Sequence, residues 1–257
     1  MSASLARIEI YPLKSGDGQS VALAAVLPSG ALQHDRRFAM VDEAGKFINA
    51  TRMPLFHKLR THFDPASDSL SFAADGRREV FSLVSDGGAI EAWLSSYFGL
   101  SVRLIENQEV GLPDDPDAPG PTVVSTATLV VVASWFDGLS VEEVRRRFRA
   151  NLEIDGVEPF WEDRLCAAVG QVVRFRVGDV MLGGVNPCQR CVVPSRDSQT
   201  GEVWPEFSRR FSRQRQQHLP EWADRSRFDH FYRLSVNTQA VGSPGVVCVG
   251  DEVEITE

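Results

Sequence analysis

The chain has 257 residues, of which 43% are hydrophobic, which is enough to bury a sizeable core as one large domain or two smaller ones. With 24% charged residues and a formal net charge of -8, it is expected to repel nucleic acids and anionic membranes. It has no run of about eighteen apolar residues and no signal-peptide pattern at its first residues, so we expect a cytoplasmic protein.

The first predicted elements are strands. The apolar residues Ala6, Ile8 and Ile10 alternate with Arg7, Glu9 and Tyr11, which predicts an extended strand with one buried face. Residues 37–41 and 46–48 flank a short turn that contains Gly45, and we predict that they pair as a hairpin.

A helix and a linker are predicted next. Apolar residues recur at helical spacing from Ile90, and Gly99 stands where a left-handed C-terminal cap is expected. A strand at residues 102–105 follows. Residues 112–121 are rich in proline and acid, which makes them the best candidate for a linker between domains.

The second half is predicted to begin with two short helices and to continue as a sheet that closes into a barrel. Ser125 is a candidate N-cap for the first helix, and Ser140 opens a capping box for the second. The predicted strands are residues 151–154, 171–177, 180–182, 234–237, 246–249 and 253–255. Residues 202–233 are polar and arginine-rich without a clear period, and we predict loop with some helix.

The densest local motif is residues 186–201, a Cys-x-x-Cys pair followed by an Asp-x-x-Thr-Gly turn. A zinc site needs about four ligands, whereas the other cysteines are isolated and no histidines form a close pair. A thioredoxin-type dithiol is expected at a helix N-terminus, which this motif lacks. A third reading is that Cys188 and Cys191 are buried packing residues, the commonest fate of a free cysteine.

Arg190 favours a different chemistry for this motif. A neighbouring cation lowers the pKa of a thiol and holds it as the thiolate that a soft metal requires. Cys191 directly follows Arg190 in the sequence. A single thiolate on a metal that is mostly ligated by its own cofactor therefore fits these residues better than an all-protein site.

The motif at residues 186–201 resembles the MOSC domain, the C-terminal domain of molybdenum cofactor sulfurases. The resemblance continues, in the family's order, at residues 11–15, 34–38, 147–151 and 244–251. The whole chain is similar to the mitochondrial amidoxime-reducing component and to bacterial reductases of N-hydroxylated bases. The resemblance implies a mainly β fold with a few helices (α+β), with a small N-terminal β-barrel-like domain at 1–113 and a MOSC β-barrel domain at 114–257.

The resemblance also implies a molybdenum cofactor (Mo-molybdopterin) and its binding residues. It makes Cys191 the metal ligand and the catalytic residue, with Cys188 as a non-ligating neighbour. It places six residues around the pterin and its phosphate: Lys14, Ser15, Arg36, Arg149, Asn151 and Arg190. Pyridoxal phosphate binding is a further property associated with the family. The chain departs from mammalian relatives at residues 117–119, where only Asp117 is polar.

The function implied by the resemblance is reduction of the N–O bond of small N-hydroxylated compounds. This chain lacks the run of cysteines that an appended ferredoxin-like domain would supply. We therefore expect a separate electron donor, either ferredoxin, flavodoxin or a cytochrome b5-like reductase system, with no nucleic-acid or membrane partner. One alternative is a non-catalytic carrier of the cofactor or of persulfide sulfur. A weaker one is a sulfur transferase with Cys191 as nucleophile.

Overall fold

The computed structural model describes residues 2–256, which contain sixteen strands and four α-helices. The strands are β1 (Ser4–Ile10), β2 (Gln19–Val21), β3 (Leu23–Val26), β4 (Phe38–Val41), β5 (Phe47–Ile48), β6 (Arg60–Asp64), β7 (Ser69–Ala74), β8 (Arg77–Ser82), β9 (Arg103–Glu106), β10 (Val123–Ser125), β11 (Leu152–Asp155), β12 (Val173–Val177), β13 (Val180–Gln189), β14 (Arg233–Ala240), β15 (Gly245–Cys248) and β16 (Val253–Ile255). The helices are α1 (Gly87–Phe98), α2 (Thr126–Ser134), α3 (Val141–Phe148) and α4 (Phe207–Gln217). The predicted α+β class is confirmed.

Eight strands form the main sheet, in the order β16-β12-β13-β14-β10-β11-β1-β2. The first strand of the chain pairs with a strand from the second half, and Ile8 lies opposite Leu152. The start of β1 also meets the residues just before β16, at the other end of the strand order, because Ser4 bridges Glu252 and Leu5 N donates to the Asp251 carbonyl at 2.8 Å. The sheet thus curves back on itself, although no continuous ladder closes it within residues 2–256.

Three small sheets complete the fold, in the orders β5-β4-β9, β6-β7-β8 and β15-β3. The predicted hairpin is confirmed, with Met40 opposite Ile48. The sheet β6-β7-β8 was not among the predicted elements. It packs against α1, where Phe72 stacks on Trp93 with ring centroids 5.4 Å apart.

The caps confirm the predicted C-terminal end of α1 and the predicted starts of α2 and α3. Gly99 ends α1 in the left-handed conformation, with a φ of 68°. The Ser125 side chain accepts a hydrogen bond from Thr128 N at the start of α2, and that of Ser140 accepts one from Glu143 N at the start of α3. In residues 2–256, no helix is both long and apolar enough to cross a bilayer.

Helix α4 lies in the stretch for which only loop with some helix was predicted. Its buried face consists of Phe207, Phe211 and Arg215, spaced four residues apart. Phe207 stacks on Phe136 with ring centroids 4.4 Å apart. The helix was hard to recognise because one of its three buried positions is an arginine and the remaining positions are polar.

A buried acidic pair lies beneath the start of α2. Asp163 forms a 2.5 Å ion pair with Arg215, which is only 1% exposed. Glu162 accepts hydrogen bonds from Ser125 N and the Thr128 hydroxyl, at 3.2 and 3.1 Å. Burial, and then the negative charge of Asp163, raise the pKa of Glu162 to about 7.

This raised pKa makes stability depend on pH. The folded state holds the Glu162 proton more tightly than the unfolded chain does. The contribution of this proton to the free energy of unfolding is therefore largest below the ordinary pKa of 4.5 and is lost as the pH rises to about 7. We expect Glu162→Gln to reduce the fall in unfolding free energy between about pH 5 and pH 8 by on the order of 2 kcal/mol. Denaturant unfolding at both pH values measures this. The exposed Glu221→Gln is the control, and equal pH dependence in all three proteins would contradict the prediction.

Candidate functional site

A cavity of about 1170 Å³ is lined by residues from both halves of the chain. Twelve Lys or Arg residues and seven Asp or Glu residues line it, whereas the whole chain has 27 and 35. The charge balance of the cavity is thus opposite to that of the protein. A positive concave site within an acidic protein favours an anionic ligand.

All seven residues that the resemblance assigns to the site line this one cavity. They are Lys14, Ser15, Arg36, Arg149, Asn151, Arg190 and Cys191. They come from segments far apart in the sequence, and the pairing of β1 with β11 and of β13 with β14 brings those segments together. Their individual roles remain predictions.

Cys191 lies just past the end of β13, with its thiol exposed on the cavity wall. The segment is held by the residue just before β14, because Arg190 N donates to the Tyr232 carbonyl at 3.0 Å. The Thr51 hydroxyl lies 3.7 Å from Cys191 Sγ. Residues 2–256 contain no group of three or more His, Cys, Asp or Glu side chains arranged to hold a metal. Because Cys191 is exposed on the cavity, its thiol is accessible to a metal that brings its other ligands with it.

The Arg190 side chain takes a direction that the sequence did not indicate. Its Nη1 lies 3.1 Å from Cys188 Sγ, and its Nη2 donates to the Phe148 carbonyl. The sequence argument had placed the guanidinium beside Cys191. In the structure its direct thiol contact is with Cys188, so this guanidinium joins the Cys-x-x-Cys loop to the end of α3.

Arg149 is fixed in place at the end of α3. It caps the helix in the left-handed conformation, with a φ of 54°. Its Nη1 donates to the Gly16 carbonyl at 2.6 Å, and its guanidinium carbon lies 4.0 Å from the centre of the Tyr11 ring. Burial lowers the pKa of Arg149 and raises that of Tyr11. Arginine stays charged in proteins, so the wall carries a fixed cation.

Three of the site residues have a strained backbone. Ser15, Arg36 and Arg149 have φ values of 68°, 48° and 54°, in the left-handed region that residues other than glycine seldom adopt. Such conformations cost of order 1–3 kcal/mol each and cluster at functional sites. The Ser15 hydroxyl accepts a hydrogen bond from Ala50 N at 3.1 Å and keeps its own proton available for donation.

Lys14 and Arg36 each already contact a carboxylate. Lys14 is 6% exposed, and its Nζ lies 2.5 Å from Asp114 Oδ1. The Arg36 guanidinium pairs with Asp35. Burial works against the charged form of Arg36, but Asp35, Asp114 and Tyr11 together outweigh burial and raise the pKa of Arg36. The positive charges of these two residues are therefore partly compensated within the protein.

Asn151 supports the wall of the cavity. It is 1% exposed, and its Nδ2 donates to the Glu9 carbonyl and to Asp35 Oδ1, at 2.9 and 3.0 Å. Its Oδ1 accepts a hydrogen bond from Thr122 N at 3.1 Å. Both ends of the amide are thus used by the protein, and a direct hydrogen bond from Nδ2 to a ligand requires the loss of one of these contacts.

Four guanidinium groups on the cavity have no carboxylate partner within residues 2–256 and donate instead to main-chain carbonyls. The pairs are Arg149 with Gly16, Arg190 with Phe148, Arg196 with Ala50 and Arg227 with Val185. The Nε atoms of Arg190 and Arg196 are buried without a hydrogen-bond partner in the described residues. Uncompensated guanidinium groups fit the phosphate of a pterin cofactor, and an exposed thiol fits its soft metal.

Sequence reasoning missed several residues of this cavity. Thr51, His57, Arg196 and Arg227 all line it. His57 is 8% exposed, and its Nε2 has no partner among the described residues. Burial, and then the positive charge of Arg196, lower its pKa. Only Arg196 lies within the motif at residues 186–201, so it alone had a local signal.

Comparison with known families identifies the chain. A model described as the MOSC domain matches residues 123–254, slightly more than half of the chain. A model described as the MOSC N-terminal beta barrel domain matches residues 2–86. The chain belongs to the MOSC domain family.

Curated relatives include molybdenum cofactor sulfurases. That of Drosophila mojavensis is 26% identical over an alignment of 233 positions, and the match covers 79% of this chain and 29% of the relative. That of Danio rerio is 23% identical over an alignment of 250 positions, and the match covers 77% of this chain and 29% of the relative. The chain thus spans less than a third of the length of these relatives.

Two solved structures superpose on this chain with low scores. The YuaD protein of Bacillus subtilis gives a TM-score of 0.43 at 11% identity, covering 99% of this chain and 96% of its own. YiiM of Geobacillus stearothermophilus gives a TM-score of 0.36 at 13% identity, covering 54% of each chain.

Proposed function

We propose that this chain binds the molybdenum cofactor in its basic cavity, with Cys191 Sγ as the protein ligand to the metal, and that it reduces N–O bonds of small N-hydroxylated compounds. One observation carries the proposal: the exposed Cys191 thiol shares a cavity with four guanidinium groups that lack a carboxylate partner within residues 2–256. Membership of the MOSC domain family and the likeness to cofactor sulfurases support the choice of cofactor.

The chain's contribution is binding and orientation. Arg149 presents a rigid cation for the phosphate of the pterin, because its guanidinium is held by Gly16 and by the Tyr11 ring. The Ser15 hydroxyl adds a neutral donor nearby. The cofactor, when bound, would supply the two-electron chemistry, and the protein would supply position and electrostatics.

The overall reaction requires a supply of electrons and protons. Reduction of an amidoxime to an amidine breaks the N–O bond, consumes two electrons and two protons, and releases water. We propose a separate one-electron donor protein, either ferredoxin, flavodoxin or a cytochrome b5-like system, as the source of electrons. Protons enter from solvent, since the cavity is open to it at Cys191.

The proposal is tested on protein made in a host that synthesises the cofactor. We expect elemental analysis to give close to one molybdenum per chain, extraction to yield the pterin, and the protein to convert benzamidoxime to benzamidine when a reduced viologen dye is supplied. A preparation from a host with the cofactor pathway deleted is the control. Protein without molybdenum or pterin from the competent host would refute the proposal.

A second candidate is a carrier of the cofactor or of persulfide sulfur on Cys191. The curated relatives favour it, because they are named molybdenum cofactor sulfurases. The two candidates differ in one measurement. A carrier of the cofactor would contain molybdenum in stoichiometric amounts and would not turn over benzamidoxime with any donor, whereas a sulfur carrier would hold a persulfide on Cys191.

A further inference from the structure

The acidic segment at residues 112–120 forms part of the cavity wall. It is anchored at its two ends, where Leu112 N donates to the Arg36 carbonyl at 2.8 Å and Gly120 N donates to the Thr238 carbonyl at 2.9 Å. Three prolines between these anchors lack an N–H group. Movement of the middle of the segment would therefore break few main-chain hydrogen bonds.

Asp114 extends from this segment toward the cations of the cavity. Its Oδ1 lies 2.5 Å from Lys14 Nζ, and its side chain is 82% exposed whereas that of Lys14 is 7% exposed. The surrounding protein disfavours the charged carboxylate, but Lys14, Arg36 and Arg149 outweigh this effect and lower the pKa of Asp114. The carboxylate is thus an anion in direct contact with Lys14, within the field of two further cations, Arg36 and Arg149, that are assigned to the ligand.

We propose that the Asp114 carboxylate occupies the anion position of this cavity and competes, within the chain, with the anionic group of the ligand. The inference deepens the proposed function and rests on it for the identity of the ligand. A ligand that makes many contacts in the cavity displaces Asp114, whereas a small anion that makes few contacts binds weakly because it does not displace the carboxylate. Asp114 therefore lowers the affinity of the cavity for small anions.

The same segment offers a matched control residue. Asp117 carries the same charge three residues further on, and its side chain is exposed. It forms no ion pair within residues 2–256, while Asp114 pairs with Lys14. Replacing either residue removes one negative charge from the segment, but only Asp114→Asn frees the cations of the cavity.

The test measures binding of inorganic phosphate by calorimetry to the full chain, produced in a host that makes no molybdenum cofactor. Asp114→Asn is expected to bind phosphate roughly five-fold more tightly than the unmodified chain. This change corresponds to the upper end of the free energies that exposed ion pairs contribute. Asp117→Asn is expected to stay within about two-fold of the unmodified chain, because general charge effects are screened by salt. Adding Arg149→Gln to Asp114→Asn is expected to remove the gain.

Two outcomes would overturn the inference. One is equal phosphate affinity in Asp114→Asn and the unmodified chain, and the other is an equal gain in Asp117→Asn. Thermal unfolding of each variant shows whether it is folded. Failure of the proposed function alone gives a different result. In that case the chain takes up no molybdenum in a host that makes the cofactor, but Asp114→Asn still binds phosphate more tightly than the unmodified chain.

Discussion

Cys191→Ser is expected to abolish reduction of benzamidoxime, lowering the rate by about a hundredfold or more. The Cys191 thiol is exposed on the cavity wall and is the proposed ligand to the metal. A serine hydroxyl is a harder ligand than a thiolate and donates less charge to the metal, so it is a poor replacement for Cys191. Turnover with a reduced dye, divided by the molybdenum content of each preparation, measures the effect.

Cys188→Ser is the matched control for this experiment. It makes the same chemical change three residues earlier, at a thiol that contacts Arg190. We expect this variant to keep its molybdenum and most of its activity. Loss of activity in both variants would show that the loop has been disrupted, and undiminished activity in Cys191→Ser would rule out the proposed ligand.

Arg149→Gln is expected to weaken retention of the cofactor by about tenfold or more, which is the size of one charge-assisted hydrogen bond. Arg149 has no carboxylate partner within residues 2–256, and it is fixed by the Gly16 carbonyl and the Tyr11 ring. Its charge is therefore available to a ligand. Pterin and molybdenum remaining after gel filtration, relative to the unmodified chain, provide the measurement.

Arg146→Gln is the comparison for Arg149→Gln. Arg146 lies in the helix that Arg149 caps and lines the same cavity, but it pairs with Glu143 at 3.0 Å. We expect its removal to leave cofactor content nearly unchanged. If both variants lost the cofactor equally, the loss would reflect the total charge of the cavity and not a specific position for Arg149.

The sequence indicated which residues line the cavity better than it indicated what they contact. The motif around Cys191 and the helix that ends before Arg149 were both recognisable locally. The direction of the Arg190 side chain and the complete use of the Asn151 amide depend on segments far away in the sequence. Such contacts are set by packing between distant strands, which a local pattern does not contain.

The fold was predictable where a local signal exists. Caps at Ser125, Ser140 and Gly99 and alternation in the strands predicted the right elements. Helix α4 lacked an apolar stripe, since Arg215 fills one of its buried positions. The pairing of β1 with β11 also lacked a local signal, because register between distant strands follows from the assembled sheet.

That pairing bears on how the protein is made. The first strand leaves the ribosome long before residue 152, its partner across the sheet, has been synthesised. Until residue 152 has been synthesised, the edge of β1 that pairs with β11 has no partner. Folding of the nascent chain therefore depends on this edge not pairing with another strand. A cut at the predicted boundary of 113 and 114 would separate the two partners, and a fragment from 114 onward would expose the edge of β11 that the first strand covers.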